Sequence, residues 1–169
     1  RFQTADLTGQ VALVTGSRLK IGYHITLMML RAGATVIATT RFPVDSALRY
    51  AKEADFETWG HRLKIHGLDL RHIPSVELFC NYIEQQYERL DVLINNAAQT
   101  VRRPAGFYQH LLAKEECTFS ELPPLVRNIL SGHEACLREL GATNSTIEVL
   151  DKHLPVHLHG KQVGIGLSA

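Results

Sequence analysis

Several things are scarce in this sequence. Cysteine occurs only at Cys80, Cys117 and Cys136 in 169 residues, an odd count with no C-x-x-C pair. That argues against a disulfide-framed secreted domain and favours buried or incidental thiols in a reducing compartment, so the cytoplasm is the expected location. No stretch reaches the roughly 20 consecutive apolar residues of a bilayer-spanning helix, and the first residues lack the basic-then-apolar layout of a signal peptide. No membrane association is expected. Neither sign of charge is in excess, since 18 Lys+Arg against 17 Asp+Glu leave +1 with nine neutral histidines. So even a balance gives no reason to expect a nucleic-acid partner, and any electrostatic role must be local. Internal repeats and low-complexity tracts are lacking too. What is present is ordinary: 45% apolar and 21% charged residues suffice for a core and exclude global disorder. The length suits one domain. The sequence opens on Arg1 and closes on Gly166-Leu167-Ser168-Ala169, and is read as an excerpt of a longer chain.

Two periodicities alternate over the first hundred residues. Val11 to Thr15 is an apolar run ending in Gly16, as expected of a strand buried on both faces of a parallel sheet. Ile21, Ile25, Met28, Met29 and Ala32 then predict one face of a helix, and Gly33 suits its C-cap. Ala34 to Thr39 reads as a second strand; Val44, Ala47, Leu48 and Ala51 predict a second helix; Leu63 to Ile65 suggest a short third strand. Val76, Phe79, Cys80, Ile83 and Tyr87 give a third helix with Pro74 in its first turn, and Leu90 to Asn95 a fourth strand. Such alternation implies βαβ units: an α/β, Rossmann-like parallel sheet with helices on both faces over 1–100, here incomplete. The remainder, 101–169, reads as a mainly helical and loop extension on the substrate side. Leu122, Leu125, Val126, Ile129, Leu137 and Leu140 support a helix started by Pro123-Pro124, Gly141 to Ser145 a loop, and Thr146 to Leu154 a short helix.

The most informative segment is Val14-Thr15-Gly16-Ser17-Arg18-Leu19-Lys20-Ile21-Gly22, where the first strand hands over to the first helix. Such a turn offers backbone N–H groups and a positive helix end to an anion such as a pyrophosphate. A P-loop is excluded because Gly22 is followed by Tyr23 and His24 rather than Lys and Ser/Thr. The bland alternative for these glycines is tight packing alone, which the flanking βαβ pattern disfavours. The second segment is Leu93-Ile94-Asn95-Asn96-Ala97-Ala98, at the carboxyl end of the fourth strand, where open α/β sheets bind ligands.

These residues resemble the short-chain dehydrogenase/reductase family over roughly 8 to 100. Thr15-Gly16 with Gly22 is similar to its T-G-x-x-x-G-x-G loop, Asn95-Asn96-Ala97-Ala98 to its N-N-A-G motif, and Asp69-Leu70 to the Asp-Leu pair after its third strand. The resemblance implies that Gly16 and Gly22 shape a pyrophosphate loop, that Asp69 and Leu70 flank the adenine, and that Asn95 with Ala97 contacts or braces the nucleoside and nicotinamide end. Ser17, Arg18 and Ile21 fall inside the same loop. The departure is Lys20 in place of the family's middle glycine: a Cβ there opposes close backbone approach, while its ammonium adds positive charge. Pteridine reductases and other NADPH-using members are similar in this respect.

The end of the second strand selects the cofactor, because a carboxylate there binds the ribose 2′-OH of NAD and repels a 2′-phosphate. Here the strand ends Thr39-Thr40-Arg41, with no acid at Thr40 and a base at Arg41. NADP(H) is therefore expected in preference to NAD(H).

The acid/base machinery that the resemblance implies is a Tyr-x-x-x-Lys pair with a serine from a fifth strand. Four residues after Tyr23, Tyr50, Tyr82, Tyr87 and Tyr108 stand Leu27, Ala54, Gln86, Asp91 and Leu112, so the chain has no such pair. His110 with Lys114 and His157 with Lys161 are distant analogues, and Ser168 is a weak candidate for the serine after a glycine-rich, strand-poor run. His153, His157 and His159 could share one strand face as metal ligands, but Pro155 interrupts them and no metal is expected. Arg102 and Arg103, before Pro104, would lie near a substrate mouth. Two functions follow: the cofactor-binding part of an NADP(H)-dependent oxidoreductase acting on a small carbonyl or alcohol, assembled as a homo-oligomer or completed by a longer chain; or a non-enzymatic NADP(H)-binding sensor or interaction module.

Overall fold

A computed structural model of the chain describes residues 5–98 and 105–144. Four strands, β1 (Val11–Thr15), β2 (Thr35–Thr40), β3 (Leu63–Gly67) and β4 (Val92–Ile94), form one sheet in the order β3-β2-β1-β4. Every pairing is parallel. The helices are α1 (Lys20–Arg31), α2 (Pro43–Tyr50), a short α3 (Phe56–Trp59), α4 (Ile73–Gln86), α5 (Gln109–Glu115) and α6 (Pro124–Asn144). The βαβ expectation holds, with strand ends moved by one or two residues.

Two cores flank the sheet. On one side Leu27 and Leu30 of α1 and Ala47 and Tyr50 of α2 pack with Val14, Val36 and Ile65. On the other, Phe79, Tyr82 and Ile83 of α4 pack with Ile37 and Leu68. Helix α6 joins both: Val126, Ile129 and Leu130 enter the first core, Cys136 and Leu137 the second. It therefore runs along β3, the outer strand, and shields that edge of the sheet. The opposite edge is different, because Leu93 on β4 is 53% exposed.

Three expectations are corrected. The buried face of α1 is Gly22, Tyr23, Thr26, Leu27, Met29 and Leu30, whereas Ile21 and Met28 are exposed. The roll of the helix is set by Gly22, which must face Asn96 and Gly16, and by Tyr23, which stacks on Tyr50 at 4.5 Å and donates to Glu53. Apolar periodicity alone does not see these constraints. Residues Gly141 to Asn144 continue α6 rather than opening a loop. Cys80 and Cys117 are exposed, and only Cys136 is buried. Thr146 to Leu154, the three clustered histidines and Ser168 lie outside the described residues.

Candidate nucleotide-binding site

At the carboxyl ends of β1, β2 and β3 the strands open onto a cavity of about 550 Å³. Gly16 turns the chain out of β1 with φ +68°, a conformation that L side chains rarely adopt, and Ala97 stands 2.9 Å from where a Cβ would be. A Cβ on Gly22 would lie 2.4 Å from both the Gly16 carbonyl oxygen and Asn96 Nδ2. Neither glycine is replaceable without displacing backbone. Lys20 has φ 52°, and it is the one non-glycine residue with positive φ among the described residues. The loop thus keeps the glycine-like backbone at that place, at a cost of about 1–2 kcal/mol for a residue with a Cβ.

The loop is braced from β4. The Asn96 amide donates to the carbonyls of Thr15 (3.0 Å) and Gly16 (3.1 Å). The Thr15 hydroxyl accepts from the backbone N–H groups of Asn96 and Ala97 at 3.0 and 2.9 Å. A second brace comes from β2: Ser17 N and Oγ both donate to the Thr39 carbonyl, and the buried Tyr50 hydroxyl donates to the Ser17 carbonyl at 2.7 Å. Helix α1 then begins with no side-chain cap and no acid in its first turn. Its first N–H groups remain available to an anion.

The residues singled out in the sequence divide accordingly. Gly16, Arg18, Lys20, Ile21, Thr40, Arg41, Asp69, Leu70, Asn96, Ala97 and Ala98 line the cavity. Thr15 and Ser17 shape it from behind through the bonds above, and Gly22 through its close approach to Gly16 and Asn96. Asn95 is exposed and is not among the lining residues; it is Asn96 that holds the turn.

The basic residues around the cavity are not equivalent. Arg18 is paired with the buried carboxylate of Asp45 at 3.0 Å, which also receives Lys114 Nζ at 2.8 Å. Although burial opposes it, the hydrogen bonds from Lys114 and Arg18 hold Asp45 below the usual carboxylate range. Arg71 grips Asp69 through Nε at 2.9 Å; burial pushes the Asp69 carboxyl up, but the side-chain and backbone hydrogen bonds from Arg71 and the charges of Arg71 and Arg41 together hold it below its ordinary value. Arg41 and Lys20 have no carboxylate partner within ion-pair distance among the described residues. The Arg41 guanidinium lies 5.6 Å over Phe42 and 5.0 Å over Tyr108.

Sequence reasoning missed Phe42, Asp45, Tyr108 and Glu115. Glu115, 2% exposed at the end of α5, accepts from the backbone N–H groups of Val44 and Asp45, both at 2.9 Å, and so caps α2. Lys114 is committed to Asp45, a structural ion pair rather than the partner of an acid/base His110. The pair His157 and Lys161, and Arg102 and Arg103, lie outside the described residues. No local sequence pattern links Glu115 and Tyr108 to residues so distant in the chain as Val44, Asp45 and Arg41.

A parallel sheet in 3-2-1-4 order, with a glycine turn and a bare helix start at its carboxyl edge, defines an α/β protein of the Rossmann type. A family model described as short chain dehydrogenase matches residues 10–117. The chain belongs to that family and has its oxidoreductase fold. It is 40% identical over 108 residues to an uncharacterized protein of Acanthamoeba polyphaga mimivirus, covering 60% of this chain and 23% of that one. It is 36% identical over 90 residues to carbonyl reductase (NADPH) 1 of Sus scrofa, covering 53% of this chain and 30% of that one. Among solved structures, the N-domain of bacterial malonyl-CoA reductase with NADP is similar at 32% identity and TM-score 0.50, over 65% of this chain and 21% of that one. The chain thus spans only 23% and 30% of the lengths of these two curated relatives.

Proposed function

We propose that this chain is the cofactor-binding part of an NADP(H)-dependent short-chain oxidoreductase acting on a small carbonyl or alcohol substrate. The observation that carries the reading is the fit of the β1–α1 turn to a pyrophosphate: two glycines with no room for a Cβ, an uncapped helix start, and a 550 Å³ cavity beside it. NADP(H), when bound, supplies the hydride chemistry; the residues of this chain supply binding and orientation. Gly16, Gly22 and the first N–H groups of α1 hold the pyrophosphate, and Lys20 adds its charge. Thr15 and Asn96 keep that turn in place, Asp69 and Leu70 flank the adenine, and Ala97 and Ala98 line the path toward the nicotinamide.

Arg41 receives the 2′-phosphate. Its claim is stronger than that of Arg18, which already donates a hydrogen bond to the buried carboxylate of Asp45. The NADPH and NADP in the names of the two relatives above agree with this choice. The acid/base tyrosine and lysine are placed in a longer parent chain, which would also cover the exposed β4 edge. Exposed, unpaired Cys80 and Cys117 suit a reducing cytoplasm.

Titration with NADPH, followed by its own fluorescence and by thermal melting of the protein, tests the reading. A saturable signal is expected, with Tm rising by several degrees at about 100 times Kd, where linkage contributes roughly 2.7 kcal/mol. No saturation and no rise in Tm with either NADPH or NADH overturns the dinucleotide site itself.

A further inference from the structure

The residue that orients Arg41 comes from outside the Rossmann half. Tyr108, at the end of the short 3-10 turn leading into α5, stacks on Phe42 with ring centroids 5.5 Å apart and planes 28° from parallel. The Arg41 guanidinium lies over both rings, closer to Tyr108 at 5.0 Å than to Phe42 at 5.6 Å. A guanidinium binds aromatic rings through its flat face and hydrogen-bond acceptors through its edge. Held against two rings, and with no carboxylate within ion-pair distance among the described residues, the guanidinium keeps its N–H groups for phosphate oxygens. Arg18, which also lies over Phe42 at 5.4 Å, already donates from Nη1 to Asp45, whereas Arg41 has no such carboxylate partner among the described residues, so of the two arginines on this aromatic platform Arg41 is the freer to take an anion.

Tyr108 is held there by bonds between α5 and α2. Glu115 caps α2 through Val44 and Asp45, and Lys114 pairs with Asp45, so both ends of this arrangement rest on the helix that follows Arg41-Phe42. We infer that Tyr108 is a positioning residue for cofactor choice: it acts through Arg41 to favour a dinucleotide bearing a 2′-phosphate over one without. This rests on the NADP(H) reading above. It makes discrimination between the two cofactors depend on a segment that follows β4 rather than on the β2 end alone.

The test is the Kd for NADPH and for NADH of the wild-type chain, Tyr108→Leu, Tyr108→Phe, and each combined with Arg41→Ala. Tyr108→Leu keeps an apolar side chain but has no ring face; it is expected to weaken NADPH about fivefold, the scale of a partly exposed cation–π contact, with NADH unchanged. Tyr108→Phe should retain the wild-type ratio, and Tyr108→Leu should have no further effect once Arg41 is Ala. Equal losses for both cofactors, an unchanged ratio in Tyr108→Leu, or an undiminished effect in the Arg41→Ala background overturns the inference while leaving NADP(H) binding intact. Failure of the wild-type chain to bind either dinucleotide instead overturns the reading beneath it.

Discussion

The two corners of the carboxyl edge face anions in opposite ways. After β1, helix α1 starts with no capping side chain, and everything that shapes the turn lies within residues 15–97: Gly16 and Gly22, the Thr15 hydroxyl, the Asn96 amide. After β2, the start of α2 is already filled by the carboxylate of Glu115, brought from α5. One helix end is left without a side-chain cap, and the other is closed by the protein's own acid. The positive potential of a helix start is common to both; what separates binding site from structural joint is whether the chain satisfies those N–H groups itself. The extension after β4 thus closes one corner, anchors Tyr108 near Arg41, and through α6 shields the β3 edge.

Substitutions can break this contrast from either side. The largest effect is expected from Gly22→Ala, which puts a Cβ 2.4 Å from a backbone carbonyl and from the Asn96 amide. Destabilisation of about 3 kcal/mol or more, together with loss of dinucleotide binding, should appear in denaturant melts and titrations. Wild-type affinity in that variant would show that the turn does not hold the cofactor.

Acid should act on the side built by the extension. His66 on β3 is 2% exposed, faces Phe79 and Tyr82 of α4 and His133 of α6, and its imidazole is pushed down to about 4 by burial and by Lys64. The unfolded chain therefore binds the proton first. Stability is fully present above the unfolded pKa near 6.5 and is lost as pH falls from there toward 4, on the order of 3 kcal/mol in all. Denaturant melts across that range should show the loss, and His66→Phe should flatten it.

Opening the closed corner is a smaller step. Glu115→Ala leaves two buried N–H groups of α2 without their acceptor and is expected to cost about 2 kcal/mol, read from the urea midpoint. If stability is unchanged, the cap is not what joins α5 to α2. The smallest effect belongs to Lys20→Gly. Relief of the left-handed backbone, partly offset by glycine's greater chain entropy, should raise stability by roughly 0.5–1 kcal/mol, while loss of the ammonium weakens NADPH binding.

How far the sequence reveals this molecule depends on the distance over which each feature is determined. The strand order and the β1–α1 turn are legible because a tight turn needs glycine at fixed places, and because Asn95-Asn96-Ala97-Ala98 follows an apolar strand directly. The roll of α1 is not, since Ile21 and Met28 belong to a convincing apolar face yet the structure leaves both outward; Gly22 and Tyr23, answering to Asn96, Tyr50 and Glu53, decide it. Glu115 and Tyr108 look like surface residues of a short polar helix and its approach. Their roles exist only once α5 lies against α2. Arg18, which by sequence looks as available as Arg41, is separated from it by the single partner Asp45.

The central claim, that Arg41 at the end of β2 reads the 2′-phosphate, is tested most directly by the ratio of Kd for NADH to Kd for NADPH in the wild-type chain and in Arg41→Ala. The account predicts a wild-type ratio well above one that falls about tenfold or more on substitution, through weaker NADPH binding with NADH little changed, as expected for loss of a charge-assisted contact. A ratio near one in the wild type, or the same ratio in both proteins, contradicts it.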